Sequence, residues 1–123
     1  MRSDFSLKLD LVLKALSLSR GRVAKAAEDA ERAVKLGPAE ARAYYVRGRV
    51  RLERGQGGAV EDLARAVDLG GQADPAVLSA LAAAQFQAGR KSEAVRTQEA
   101  AVRLRPGDAE LAEQLREFRS AKN

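Results

Sequence analysis

The chain has 123 residues, 46% of them hydrophobic, enough for one domain with a continuous core. It contains no histidine, cysteine or tryptophan and a single methionine. That excludes histidine or thiol catalysis, disulfides, and ordinary zinc sites built on imidazole or thiolate. The 22 lysines and arginines outnumber the 17 aspartates and glutamates, a formal charge of +5 that invites a nucleic-acid reading. With only two tyrosines and three phenylalanines as platforms for bases, nucleic acid is not the expected partner.

The opening FSLKLDLVLKALSLS, residues 5–19, alternates apolar and polar from Phe5 to Leu11, which taken alone suits an edge strand. Leu9, Val12, Leu13 and Leu16 fall on one helical face, however, and a helix over 5–19 is the reading that keeps the register of the rest of the chain. Asp4, Lys8, Asp10 and Lys14 interrupt the stretch, so it resembles neither a signal peptide nor a membrane span. A soluble chain is expected, with the cytoplasm as default compartment and the periplasm left open.

Helix-period segments follow near 22–36, 40–54, 58–69, 75–88, 91–104 and 108–120, making seven predicted helices in all. Gly21, Gly55 and Gly89 each stand after a predicted first helix, where glycine supplies the left-handed conformation that stops it. Asp74 followed by Pro75 reads as a cap with proline in the first turn. The last segment, DAELAEQLREFRSAK, puts Leu111, Leu115 and Phe118 on one stripe and charges elsewhere, as a terminal capping helix does. No such polar cap precedes the leucine-rich first helix.

Much of the charge sits as acid-first i, i+4 pairs on helix faces: Glu28 with Arg32, Glu31 with Lys35, Glu61 with Arg65, and Glu99 with Arg103. Each is worth only about 0.2–0.5 kcal/mol. Arg42, Arg47, Arg49, Arg51 and Arg54 remain as an unpaired cluster in the middle of the chain.

The three glycines lie 34 residues apart, as do Leu18, Leu52 and Phe86, and Leu16, Val50 and Ala84. Behind each glycine comes an alanine pair at a spacing of seven: Ala26 and Ala33, Ala59 and Ala66, Ala94 and Ala101. Helices approach closely only where side chains are small, so Ala26, Ala59 and Ala94 are read as crossing points. Units of this length stack to bury a shared core.

In these features the chain resembles the tetratricopeptide repeat family. The best stretch is AYYVRGRVRLERG, residues 43–55, with Tyr44 at the first aromatic position, Gly48 at the small position and Gly55 at the turn; Pro38 and Pro106 stand where units end. Arg51 replaces the usual second aromatic, Lys14 stands where the first unit should be small, and the middle unit lacks one residue, regained in DLGGQADP. The resemblance implies an all-α, right-handed solenoid: one domain over 1–123, with repeats at about 5–38, 39–73 and 74–107 and a capping helix at about 108–120.

Catalysis is not expected. The one glycine-rich stretch, GQGGA at 55–59, lacks the lysine and preceding strand of a phosphate loop and reads as a shortened turn, and Ser17, Ser19 and Ser92 have no base to activate them. No cofactor and no metal are expected. What remains is recognition, and the resemblance implies where: first helices line a concave groove. By register that groove presents Lys8, Leu11, Val12 and Ala15, then Arg42, Tyr45, Val46 and Arg49, then Ser79, Ala80 and Ala83, with Leu18, Leu52 and Phe86 deeper. One branch of the family clamps a chaperone's terminal carboxylate with lysine, asparagine and arginine; the matching places here hold Leu11, Ala15, Val46, Ala76 and Ala80, so that clamp is absent. The expected partner is a protein segment, a helix or extended peptide, with apolar anchors and acidic residues. The alternative is a structural module that self-associates or docks to a neighbouring domain through Leu7, Leu9, Leu11 and Leu13. The abundance of alanine, arginine and leucine is compatible with a bacterial origin, and the closing stretch resembles the last repeat and cap of many bacterial multidomain proteins.

Overall fold

The computed structural model describes residues 20–36 and 40–122. Among them it is all-helical, in the order α1 (Arg20–Leu36), α2 (Ala41–Arg54), α3 (Ala59–Asp68), a 3-10 turn at Gly71–Ala73, α4 (Pro75–Gln87), α5 (Lys91–Leu104) and α6 (Ala109–Ser120). These are six of the seven predicted helices, with ends within about two residues of those read from the sequence; the first, over 5–19, lies outside the described residues. Gly21 does not break the chain ahead of α1 but falls within its first turn. Glycine permits a left-handed stop without requiring one.

At the other two glycines the stop is made. Gly55 has φ +66°, its N–H donates to the Leu52 carbonyl at 3.2 Å, and the Gln56 N–H reaches the Arg51 carbonyl at 2.8 Å. Gly89 has φ +84°, and the same pair of bonds runs from Gly89 to Phe86 at 3.0 Å and from Arg90 to Gln85 at 2.8 Å. This two-bond closure satisfies carbonyls that the helix end would leave open. Helices α4 and α6 start on side-chain caps: the Asp74 carboxylate accepts from the Ala76 N–H, and that of Asp108 accepts from both Glu110 and Leu111.

Short connections fold each helix back on its predecessor, and every consecutive pair from α1 to α6 is in contact. α2 also touches α4, and α4 meets α6 where the Phe86 and Phe118 rings stack with centroids 4.5 Å apart. The even-numbered helices thus form one row of contacts. At its centre lies α4, whose sequence PAVLSALAAAQFQ is apolar almost all round and is buried accordingly. Leu52, Leu63, Leu81, Ala82, Ala84, Ala94 and Phe118 make the main core, and Leu78, Ala101 and Leu111 a smaller one.

The alanine stripe does what its spacing predicts in α3 and α5, where Ala59, Ala66, Ala94 and Ala101 are buried. In α1 the buried member of the stripe is Ala30, while Ala26 is half-buried and Ala33 exposed. Gly48 marks a close crossing between α2 and α3: a Cβ there would lie 2.7 Å from Leu63 Cγ and 3.1 Å from Asp62 Cβ. Gly48→Ala is expected to destabilise the fold. Overpacking costs about 1–3 kcal/mol, and the gain in helix propensity returns only about 1 kcal/mol. A midpoint in urea equal to or above that of the parent would show that α3 has room to shift.

Candidate partner-binding face

Two faces of α2 carry its arginines, and they have different fates. The face toward α3 holds Tyr44, Arg47 and Arg51. Opposite them Asp62 occupies a place on the buried stripe of α3, between Ala59, Leu63 and Ala66, and only 4% of its side chain is exposed. Arg47 grips it with both prongs, Nε to Oδ2 at 2.9 Å and Nη2 to Oδ1 at 2.7 Å, and Arg51 Nη1 donates to Oδ2 at 2.9 Å. The Tyr44 ring lies within cation–π reach of Arg47, at 5.7 Å, and of Arg65, at 6.0 Å.

The expectation of five unpaired arginines is corrected here, because Arg47 and Arg51 share one buried carboxylate, which offsets one of their two charges. The hydrogen bond to Asp62 raises the Arg47 guanidinium above its ordinary range, against the opposing effect of burial. A raised cation stabilises the fold fully below its unfolded value and loses that contribution only as pH climbs through its folded one, so this side of the pair is constant across neutral pH. The Glu99–Arg103 pairing is also replaced: Glu99 accepts from Arg119 of α6 at 2.7 Å, which ties α5 to the last helix.

The other face of α2 carries Arg42, Tyr45, Val46 and Arg49, at the i, i+3, i+4, i+7 spacing that shares one side of a helix. Tyr45 is half-buried, its ring against the core cluster that includes Leu81 and Ala83. Its Oη accepts from Arg49 Nη1 at 2.7 Å, and the Arg49 guanidinium carbon stands 5.3 Å from the centre of the ring. Val46 is half-buried and Arg42 exposed.

The α4 residues of the expected set are spent differently. Ala83 is 3% exposed and belongs to the core, because α4 is covered on several sides. Ser79 turns to α6, where Gln114 Nε2 donates to its carbonyl at 3.2 Å and its Oγ at 2.9 Å. Gln114 also donates to the Oε1 of Gln98, itself wholly buried and donating to the Leu111 carbonyl at 3.0 Å. Ala80 packs against the core partly buried. Lys8, Leu11 and Val12, and the self-association set Leu7, Leu9, Leu11 and Leu13, lie outside the described residues.

The GQGGA turn lines a shallow open depression of about 320 Å³ with Ala84, Gln87, Ala88 and Arg90. Gly58 has φ +94°, and a Cβ on it would meet Arg51 Nη1 at 2.8 Å, so the Arg51 guanidinium covers this turn. Among the described residues no group of three Asp or Glu side chains could hold a metal ion, and no helix is long and apolar enough to cross a membrane.

Asp62 was the residue that sequence reasoning missed. Its signal was present: it interrupts the apolar stripe Ala59, Leu63, Ala66, while Arg47 and Arg51 stand four apart on the preceding helix. Compared with known proteins, the chain matches no family model and no curated sequence.

Proposed function

We propose that the chain is a non-catalytic protein-interaction module, a right-handed solenoid of tetratricopeptide-like helix pairs with α6 as its cap, that binds a peptide or helix of a partner protein across the row formed by α2, α4 and α6. The matched stops at Gly55 and Gly89, the small residue Gly48 at the α2–α3 crossing and the contacts of α4 with both α2 and α6 support the architecture. The binding reading rests above all on one observation. The face of α2 with Arg42, Tyr45, Val46 and Arg49 combines an apolar strip with guanidiniums that pair with no carboxylate among the described residues. Arginine and tyrosine are residue types that often dominate interface energies.

The test is selection from a random peptide display library on the folded chain, followed by mapping of the selected peptides on isotopically labelled protein. Resonance shifts concentrated on the 42–49 face of α2 are expected. Arg49→Glu is expected to weaken those peptides at least tenfold while leaving the far-UV circular dichroism unchanged. Unchanged affinity in that variant, or shifts confined to other helices, would sink the reading.

A further inference from the structure

Arg49 differs from every other arginine of α2. Arg47 and Arg51 share the Asp62 carboxylate, and Arg42 and Arg54 are exposed. The Arg49 guanidinium is held in place by a neutral group, the Tyr45 hydroxyl, and by the ring beneath it. Among the described residues it is therefore oriented without being paired to a carboxylate. A guanidinium carries five N–H donors, and one of them is used on Tyr45.

The same hydrogen bond constrains the tyrosine. Because Oη accepts from Arg49, the hydroxyl proton is directed away from the guanidinium, and among the described residues it finds no acceptor. The phenol cannot swing to find one, since its ring is packed against the core cluster. An O–H donor and a cationic N–H donor thus stand side by side, joined at 2.7 Å and anchored on a rigid helix. Two adjacent donors, one of them charged, match the two oxygens of a carboxylate, which accepts from both at once. Val46, beside Tyr45 on the same face, offers an apolar surface to whatever flanks that carboxylate.

We infer that Tyr45 and Arg49 form a two-point carboxylate reader, and that the partner segment presents an aspartate or glutamate there next to an apolar side chain that rests on Val46. This rests on the proposed binding face and adds to it the chemistry read at one position. Arg49 supplies the charge, and Tyr45 both orients it and gives the second hydrogen bond. Arg42, exposed at the start of the helix, contributes general attraction without fixed geometry.

The same random peptide library tests it, panned in parallel on the wild-type chain, Arg49→Gln, Tyr45→Phe and Val46→Glu. Peptides from the wild-type pan are expected to carry an acidic residue at a constant position beside an apolar one. Changing that residue to its amide should weaken binding roughly ten- to a hundredfold, the range for a hydrogen bond to a charged group. Arg49→Gln should abolish this sensitivity to the amide change. Tyr45→Phe, which keeps the ring, should reduce it without removing it. Peptides that lose binding on Val46→Glu but show no acidic preference would overturn the carboxylate reader and leave the binding face standing. Peptides indifferent to all three substitutions would overturn both.

Discussion

Phe118→Ala is expected to lower stability by about 3–5 kcal/mol, the range for deleting a large buried aromatic. The ring is wholly buried and stacks on Phe86 at 4.5 Å with planes 16° apart, an arrangement worth about 0.5–1.5 kcal/mol beyond burial alone. It is also the member of α6 that enters the main core; Leu111 sits in the smaller cluster. Without it, α6 keeps Leu111 and Leu115, the Gln114 bonds to Ser79 and Gln98, and the bond from Lys91 to the Ala121 carbonyl. The loss should therefore appear first at the end of the chain: in hydrogen exchange, the opening free energy of α6 amides should fall further than that of α3 amides relative to the parent. Phe118→Leu should recover a large part of the loss. A fall of under about 1 kcal/mol for the alanine variant would mean that α6 contributes little to the fold, contrary to the complete burial of its aromatic ring.

Asp62→Ala is expected to cost about 3 kcal/mol. Removing one partner of a buried pair strands the other charge and typically costs about 3–5 kcal/mol. The lower end applies because 17% of the Arg47 side chain and 27% of the Arg51 side chain stay exposed, so water relieves some of their unpaired charge. The cost belongs to the stranded arginines and not to the carboxylate as such, which gives a sharper test. Replacing Asp62 by leucine together with Arg47 and Arg51 by methionine should recover most of the loss, since a buried ionic cluster exchanged for well-packed apolar groups is often neutral or stabilising. In double-mutant cycles read by urea denaturation, the Arg47–Asp62 coupling should exceed that of Arg51–Asp62, because Arg47 binds both oxygens and Arg51 one. Equal couplings, or an apolar triple variant no better than Asp62→Ala, would show that the arginines find other partners.

These two sites define what the proposed binding face can tolerate. Tyr45 and Tyr44 are neighbours in sequence but point to opposite tasks, one to a face whose arginines pair with no carboxylate among the described residues and the other into the ionic cluster with Asp62. Substitutions at Arg47 or Arg51 should report on stability, and substitutions at Arg49 on binding. A single composition-level statement about a basic helix merges the two.

Helix positions were legible in the chain because they depend on local rules. Gly55 and Gly89 recur with the same stop geometry since only a residue without a side chain adopts the left-handed turn cheaply, and Asp74–Pro75 starts α4 because both residues favour that position whatever lies nearby. The burial of Ala59, Ala66, Ala94 and Ala101 follows from periodicity, which any amphipathic helix must respect. Gly48 was legible as a small residue, although its reason, the approach of Leu63, is a matter of packing.

The use made of each charge could not be read this way. Spacing along one helix pairs Glu99 with Arg103, but the neighbouring helix brings Arg119 closer, and the bond goes there. Five arginines look alike in sequence; which are consumed depends on where α3 places Asp62, 15 residues beyond Arg47. Ser79 and Ala83, on register alone, belong beside Tyr45 and Arg49 at a surface, yet α6 and the surrounding helices take up the first and cover the second. Local conformational preference is a property of a few consecutive residues, so the sequence by itself determined the six described helices with most of their ends and apolar stripes, the stop at Gly21 and the burial of Ala33 excepted. Electrostatic pairing and exposure are properties of what comes near in space, so only the tertiary structure decided that Asp62 engages two arginines at once and that Tyr45 holds Arg49 in place with no carboxylate partner among the described residues.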